Sequence, residues 1–278
     1  MQNIVEGLEK AAHTFYTLDG AEKLRDAVKS FTGGDLVVVV PRAPFKCPPA
    51  PYEMMLLLHS LFSSQSQSKH IRAKTNMRVY TVEPAPMSTG GPEAGAFIRQ
   101  QLTESKIDFH PNVKLSRVLL SDSSQSDSSD GKTLEKTSVK TSVKTLVFED
   151  GSTAVCDGLL IAVPPHQAPR AVLDSGLAGP SGYIPVDRRM RVLRPVPPGP
   201  SSSSSAQGPA SSTVASSRLY AIGDVTSVPL PGRFRPEVPL SLPKAGAFAI
   251  KQGDVSTNAS RAHTRPLKFF LKHISYIY

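Results

Sequence analysis

A run of five apolar residues, Leu36–Val40, is the feature that most constrains the fold of this 278-residue chain. Four of the five are valines, whose branched side chains favour strands. A strand without any polar residue is buried on both faces, as in parallel sheets that are covered on both sides. The run therefore predicts an α/β protein with a central parallel sheet.

Helix and strand patterns alternate around this run. A helix with Asp19 as its N-cap is predicted to end at Gly33-Gly34, just before the strand. Further helices are predicted from about Tyr52 and over Pro92–Ser105, and further strands at Met77–Val82 and Ile107–His110. This order favours parallel strands joined by crossover helices, as in dinucleotide-binding folds.

The second half of the chain favours strands that are interrupted by low-complexity tracts. Strands are predicted at Val113–Leu120, in a hairpin over Leu146–Cys156, at Leu159–Val163 and, as the last clear strand, at Leu219–Ile222. Three tracts are rich in Ser, Lys or Pro: Ser63–Ser68, Ser121–Lys144 and Pro195–Ser217. Such tracts bury too little apolar surface to offset the entropy of ordering, so we expect disordered surface loops there.

Composition argues against several classes of protein. Two cysteines do not suit a disulfide-stapled secreted fold, and no apolar run has the roughly 18 residues of a transmembrane helix. The first residues lack the apolar core of a secretory signal, so an intracellular or organellar location is expected. The net charge is +9, but no basic stripe with interleaved aromatic residues accompanies it, so nucleic-acid binding is not expected.

The loop after the first strand lacks what a dinucleotide needs. The glycines of a G-x-G-x-x-G loop let the backbone approach a pyrophosphate, whereas residues 41–51 read PRAPFKCPPAP, without a glycine. Proline also has no N–H to donate. Glu83 follows the second strand, where such folds place a ribose-binding acid, but without the glycines we expect it to be a surface acid.

Cys47, in this loop, is a candidate nucleophile. It lies just before a predicted helix N-terminus, with Lys46 and Arg42 nearby in sequence, and both the helix dipole and the cations would stabilise a thiolate. The alternative is a small buried hydrophobe, the commoner fate of a lone cysteine. Both interpretations stay open at this point.

Two other residues carry weaker signals. Cys156 ends a predicted hairpin strand and is interpreted as structural, although a redox pair with Cys47 stays open. His166 follows two prolines and fits either a proton carrier or a loop cap.

A glycine and an aspartate, Gly223 and Asp224, come directly after the last predicted strand. Ligands of α/β sheets lie outside the carboxyl ends of the strands. Glycine permits close approach of a ligand, and a carboxylate accepts hydrogen bonds from ligand hydroxyls. The pair therefore fits a binding site, with an ordinary strand-to-turn connection as the alternative.

A short segment of small residues opens a predicted helix further on. Pro243, Lys244, Ala245 and Gly246 stand there, and the N–H groups at such a helix start suit the polar edge of a flat cofactor. By composition alone, the segment is also an ordinary helix start.

Four segments together resemble a known family, the FAD-dependent pyridine nucleotide-disulfide oxidoreductases of the sulfide dehydrogenase and sulfide:quinone reductase type. They are Lys46–Glu53, Asp157–His166, Tyr220–Val225 and Leu242–Ala249. The resemblance implies that Cys47 lies at the flavin and handles sulfur, and that Gly223 and Asp224 are cofactor-binding, with Asp224 on the ribityl chain of FAD. It also implies that the segment Pro243–Phe248, with the cofactor-binding residues Pro243, Lys244, Ala245 and Gly246, lies against the flavin ring. Electrons would pass from a donor such as sulfide through FAD to a quinone or a haem partner.

The resemblance also implies a domain organisation. Residues 1–32 would be linker helices from the FAD domain, 33–112 an NAD(P)-type Rossmann-like domain, 113–255 the C-terminal half of the FAD domain with insertions at 121–144 and 195–217, and 256–278 a divergent basic tail. The family's first FAD-binding loop has no counterpart in this sequence. We therefore expect an incomplete, three-layer FAD/NAD(P)-binding (Rossmann-like) α/β fold that is truncated at the N-terminus and also at the C-terminus.

Two alternatives to this function stay open. The missing glycine loop also fits a non-catalytic fragment or interaction module without FAD. An NAD(P)H:quinone reductase-like flavoprotein is disfavoured because the second fold lacks its glycines too. The expected partner is a small-molecule redox substrate of the sulfide or quinone class. The tail Leu267–Tyr278 is compatible with peripheral membrane contact, but it is too short and weakly patterned to establish one.

Overall fold

The computed structural model describes residues 5–64, 70–121, 143–195, 213–235 and 238–261. Among these, residues 5–45 and 49–165 form one compact unit, and residues 46–48 and 166–261 form another. The four-part division expected from the resemblance stays a prediction.

Within its described residues, the first unit contains four α-helices and seven strands. In chain order they are α1 (Leu8–Ala11), α2 (Leu18–Ser30), β1 (Gly34–Val40), α3 (Ala50–Ser63), β2 (Thr75–Thr81), α4 (Pro92–Glu104), β3 (Ile107–His110), β4 (Leu115–Ser121), β5 (Val143–Phe148), β6 (Thr153–Cys156) and β7 (Leu159–Ala162). Strands β3-β2-β1-β7 form a parallel sheet in that order, and β4-β5-β6 form an antiparallel sheet. The predicted α/β class with a parallel sheet is confirmed.

The valines of β1 separate two hydrophobic cores. Leu36, Val38 and Val40 face a core that includes Tyr52, Met55 and Leu58 of α3, whereas Val37 and Val39 face a core with residues of the antiparallel sheet. Because side chains alternate along a strand, a run that is apolar at every position serves both cores. The unit therefore has three layers: helices, parallel sheet and antiparallel sheet.

The N-terminus of α2 corrects one expectation. Thr17, and not Asp19, is the N-cap, because the Thr17 hydroxyl accepts a hydrogen bond from the Gly20 N–H at 3.1 Å. Asp19 lies inside the first turn, where its charge suits the positive end of the helix dipole.

The part of the second unit that the structure describes contains small sheets and one long helix. Its elements are α5 (Arg170–Leu173), β8 (Ile184–Pro185), β9 (Arg191–Pro195), β10 (Thr213–Tyr220), β11 (Thr226–Ser227), β12 (Pro229–Arg235), β13 (Val238–Ser241) and α6 (Gly246–Arg261). Strand pairs β9–β10 and β12–β13 are antiparallel, and β8–β11 is parallel. Ile184, Val186, Met190 and Val192 form the centre of its core.

The low-complexity tracts agree only in part with expectation. Residues 65–69, 122–142 and 196–212 lie outside the described residues. However, Pro195 pairs with Thr213 in β9 and β10, and Ser121 pairs with Val143 in β4 and β5, so the tracts predicted to be disordered over Pro195–Ser217 and Ser121–Lys144 are both too long at both ends. The tract predicted over Ser63–Ser68 also starts too early, because Ser63 is the last residue of α3. The predicted strand Leu219–Ile222 likewise begins earlier and ends at Tyr220, the last residue that pairs with β9.

Two expectations concerned membranes: that the chain has no transmembrane helix, and that its C-terminal tail is compatible with contact to a membrane surface. In the described ranges, no helix is long and apolar enough to cross a bilayer. The tail Leu267–Tyr278, for which peripheral membrane contact was considered, lies outside the described residues.

Candidate functional site

The Cys47 segment runs beside the segment that precedes α6, within the second unit. The Cys47 N–H donates to the Lys244 carbonyl at 2.9 Å, and Lys46 and Lys244 form a parallel bridge. Cys47 has a φ of 62°, in the left-handed region that residues other than glycine rarely adopt. Its thiol is partly buried and is not in a disulfide. Two segments far apart in sequence, both predicted to be functional, are thus adjacent.

The Gly223-Asp224 turn is held by α6. Gly223 has a φ of +78° and starts a single 3-10 turn, and its N–H donates to the side-chain oxygen of buried Gln252 at 2.5 Å. The turn presents the Asp224 carboxylate, whose side chain is 23% exposed, to Lys46, and their ion pair measures 3.2 Å. Asp224 is therefore paired with Lys46, the residue that directly precedes Cys47.

Lys244 carries a buried positive charge at this site. It is only 6% exposed, and its ammonium donates to the Thr226 carbonyl and lies 3.9 Å from the centroid of the Tyr183 ring. Burial lowers the pKa of Lys244 to about 8, and the nearby Asp224 carboxylate opposes that shift. Lys244 is thus mostly charged at neutral pH but lies close to its titration range.

His166 lies near Lys46, Asp224 and Lys244, and we call these residues together with Cys47 the cluster. Its ring stacks on Tyr183 with 5.8 Å between centroids, and its buried Nε2 has no hydrogen-bond partner. Burial lowers the pKa of His166; Asp224 opposes this shift, whereas Lys46 and Lys244 add to it. A neutral ring with a vacant nitrogen suits a proton carrier, but that role and the loop cap both stay predictions.

The remaining predicted cofactor residues lie at the start of α6. The Ala245 carbonyl accepts hydrogen bonds from the N–H groups of Phe248 and Ala249, at 3.1 and 3.2 Å, so the helical turn begins there. Pro243, Lys244 and Ala245 line, with Gly223 and Asp224, one shallow depression of about 10 Å³. A Cβ added to Gly246 would meet no atom within 4 Å. All six predicted residues therefore lie in one region of the second unit.

Some residues of this cluster were not found from the sequence. Tyr183, Thr226 and Gln252 hold the predicted residues in place, but each stands in a segment without a motif. Pairing of β8 with β11, which joins Ile184 to Thr226, brings Tyr183 to the cluster. No local sequence pattern predicts such a contact. Across the described ranges, no group of three His, Cys, Asp or Glu side chains is arranged to hold a metal ion.

Glu83, in the first unit, is not the surface acid that was expected. It is 1% exposed, and its carboxylate accepts hydrogen bonds from the Tyr52 hydroxyl and from the Ser88 N–H, the latter at 3.1 Å. Burial raises the pKa of Glu83 to about 7. The prediction was wrong because Tyr52 of α3 supplies a donor that makes burial tolerable.

Cys156 lies in the first unit and is fully buried. Burial raises the pKa of its thiol to about 11, which makes it an inert residue and agrees with a structural interpretation. Neither Cys156 nor Cys47 is in a disulfide, so the pair that was left open is not bonded here.

Gly223→Ala tests whether the left-handed turn supports the Asp224 carboxylate. A Cβ would lie 3.7 Å from Ala249, an ordinary contact, so the cost comes from the positive φ and should be about 1–2 kcal/mol of unfolding free energy. Thermal or urea unfolding measures this cost. Gly176→Ala, at a φ of 69° in open space, is the control for a left-handed glycine away from the cluster. If Gly223→Ala is neutral, the turn does not depend on glycine.

Comparison with known proteins supports the resemblance. Residues 21–81 match the model of the family described as the sulfide dehydrogenase (flavocytochrome c) flavoprotein chain, central part. No protein with a curated description matches the chain significantly.

Solved structures show the fold. The sulfide:quinone oxidoreductase from the hyperthermophilic bacterium Aquifex aeolicus superposes with a TM-score of 0.61 at 19% identity, over 93% of this chain and 50% of that one. A NAD-dependent persulfide reductase from A. fulgidus gives 0.53 at 17% identity, over 95% of this chain and 38% of that one. The chain thus spans half or less of the length of these two proteins, and it resembles flavoprotein oxidoreductases with an FAD/NAD(P)-binding fold.

Proposed function

We propose that this chain supplies the flavin- and sulfur-facing part of an FAD-dependent oxidoreductase, in which a reduced sulfur compound passes electrons through FAD to a quinone or a haem. The observation that carries the proposal is the hydrogen bond from the Cys47 N–H to the Lys244 carbonyl, because this main-chain contact places the cysteine beside the segment that starts α6. The ion pair between Lys46 and Asp224 adds the carboxylate to the same cluster. These are the three groups that the resemblance assigns to sulfur and flavin.

The groups present fit the ring and ribityl parts of FAD. Asp224 offers carboxylate oxygens that accept hydrogen bonds from hydroxyls. The first turn of α6 has N–H groups without intrahelical partners, and the open space at Gly246 permits close approach of a flat ring. The sequence contains no G-x-G-x-x-G loop for the pyrophosphate. The proposal therefore assigns only these parts of the cofactor to the cluster.

Each residue has a distinct role in this proposal. Bound FAD would supply two-electron redox chemistry. Cys47 would bind the donor sulfur through a sulfur–sulfur bond, because a thiolate is the reactive form of cysteine, and the two electrons and the proton that hydrosulfide loses in forming that bond would go to FAD. Asp224 orients hydroxyls, and the buried Lys244 ammonium stabilises negative charge nearby. His166 exchanges a proton at its vacant Nε2.

Flavin uptake tests the cofactor assignment. The purified full chain should bind added FAD and show a visible flavin spectrum with quenched fluorescence. Asp224→Ala should weaken binding by about tenfold or more, because it removes hydrogen bonds to a charged acceptor. Asp254→Ala, on the exposed side of α6, should bind FAD as the native chain does. If the native chain takes up no FAD, the interaction-module alternative is favoured instead.

The donor is tested on the flavin-loaded chain without oxygen. Sodium sulfide should bleach the flavin spectrum, and a soluble quinone or ferricytochrome c should restore it. Faster bleaching by NADH than by sulfide would instead favour the nicotinamide-linked alternative.

A further inference from the structure

Tyr183 contacts two of the titratable side chains in the cluster. It directly precedes β8, and the pairing of Ile184 with Thr226 in β11 brings it beside the residues that follow Asp224. The side chain is only 7% exposed. Burial raises the pKa of Tyr183 to about 12, so its hydroxyl stays protonated and can donate a hydrogen bond.

The ring of Tyr183 and the Thr226 carbonyl support the Lys244 ammonium. The Nζ of Lys244 lies 3.9 Å from the ring centroid while it also donates to the Thr226 carbonyl. The face of an aromatic ring carries partial negative charge and attracts a cation, most strongly where water is excluded. For a lysine that is 6% exposed, the ring therefore replaces part of the hydration that burial removes.

The hydroxyl of the same tyrosine holds the His166 loop. It donates to the His166 carbonyl at 2.6 Å, while the two rings stack at an interplanar angle of 24°. These contacts fix the position of the ring whose Nε2 has no partner. Ring and hydroxyl thus act on different neighbours and can be separated by substitution.

We propose that Tyr183 is a positioning residue that keeps the Lys244 ammonium charged and in place beside the Asp224 turn. The groups that face Lys244 and His166 are the Asp224 carboxylate, the Lys46 ammonium and each other. Among these, Asp224 also favours the charged form of Lys244, so the contribution of Tyr183 is measured with Asp224 present. The consequence for flavin binding rests on the proposed function, but the charge state of Lys244 does not.

The protonation of Lys244 gives a direct test in the chain without added flavin. Lysine labelled with ¹³C at Cε is titrated by NMR, and the Lys244 signal is assigned by its loss in Lys244→Met. Tyr183→Leu should shift the protonation equilibrium about tenfold toward the neutral amine, because it removes the ring face. Tyr183→Phe keeps the ring and should leave this titration unchanged. Equal titrations in all three proteins, or equal shifts in both variants, would overturn the proposal.

A second series keeps the shape of the side chain constant, in case Tyr183→Leu does not fold. Phenylalanine with an increasing number of ring fluorines is placed at position 183, which weakens the negative face of the ring stepwise. The Lys244 titration should shift further toward the neutral amine with each fluorine. A titration that is independent of fluorination would overturn the proposal.

Flavin affinity then links the contact between Tyr183 and Lys244 to the proposed function. Tyr183→Leu should bind FAD more weakly than Tyr183→Phe, since only the former loses the support of Lys244. If both variants bind FAD equally while the Lys244 titration differs, Tyr183 does not position Lys244 for the cofactor. If the native chain binds no FAD, the proposed function fails, whereas the titration still decides the role of Tyr183.

Discussion

Between pH 4 and pH 8 the native chain is expected to lose about 3 kcal/mol of unfolding free energy that the Glu83→Gln variant retains. The cause is the carboxyl of Glu83, whose ordinary pKa of 4.5 is raised by burial to about 7. Between these two values the folded chain holds a proton that the unfolded chain has lost. Stability therefore falls as pH rises through this window and levels off above pH 7.

The surroundings of Glu83 explain why the charged form is costly. Its partners, the Tyr52 hydroxyl and the Ser88 N–H, are neutral donors, and no cation forms an ion pair with it. That statement covers the residues that the structure describes. Hydrogen bonds from neutral groups only partly compensate a buried carboxylate for lost water. Glutamine fills the same space without a charge at any pH.

Urea unfolding followed by circular dichroism, repeated over this pH range, measures the effect. Glu22→Gln, an exposed position on α2, serves as the matched control and should follow the pH dependence of the native chain. The difference between the Glu83→Gln and native curves isolates one carboxyl from all others. If these two curves run parallel, Glu83 does not titrate differently in the folded and unfolded states.

Tyr52 and Glu83 also show where sequence reasoning reached its limit. The position of Glu83 after β2 was predictable from the sequence, because local patterns mark where strands end. The burial of Glu83 was not predictable, because it depends on the Tyr52 hydroxyl of α3. The apolar residues of that helix predict only that the helix packs against the sheet. In a dinucleotide-binding fold the acid at this place meets a ribose hydroxyl. Here a hydroxyl of the chain itself takes that place.

The candidate site likewise contains residues that the sequence predicts and residues that it does not predict. Gly223 and Asp224 were recognisable because a strand leads into them, and the valines of β1 were recognisable because both faces of that strand are apolar. The residues that hold the site together, Tyr183 and Gln252, gave no signal, because their roles arise from long-range pairing and from a single buried amide. Motifs with a fixed local shape are therefore predictable, whereas their supports are visible only in three dimensions.

Cys47→Ser is expected to slow the reduction of bound flavin by sulfide by about 10³-fold or more, as for loss of a nucleophile that no neighbour replaces. The substitution changes sulfur to oxygen and little else, because Cys47 is tied to Lys244 through its main-chain N–H, which serine keeps. Serine is a far weaker nucleophile at neutral pH than a thiolate. FAD affinity should therefore stay the same while the rate of reduction falls.

Anaerobic stopped-flow absorbance of the flavin-loaded chain measures that rate. Cys156→Ala removes the other thiol, which is buried in the first unit, and should leave the rate of reduction unchanged even if stability falls. The comparison decides between the two interpretations of Cys47 that the sequence left open. A nucleophile requires a loss in Cys47→Ser alone. A small hydrophobe instead predicts that sulfide reduces the flavin equally fast in all three proteins, because oxygen in place of sulfur would then affect only packing.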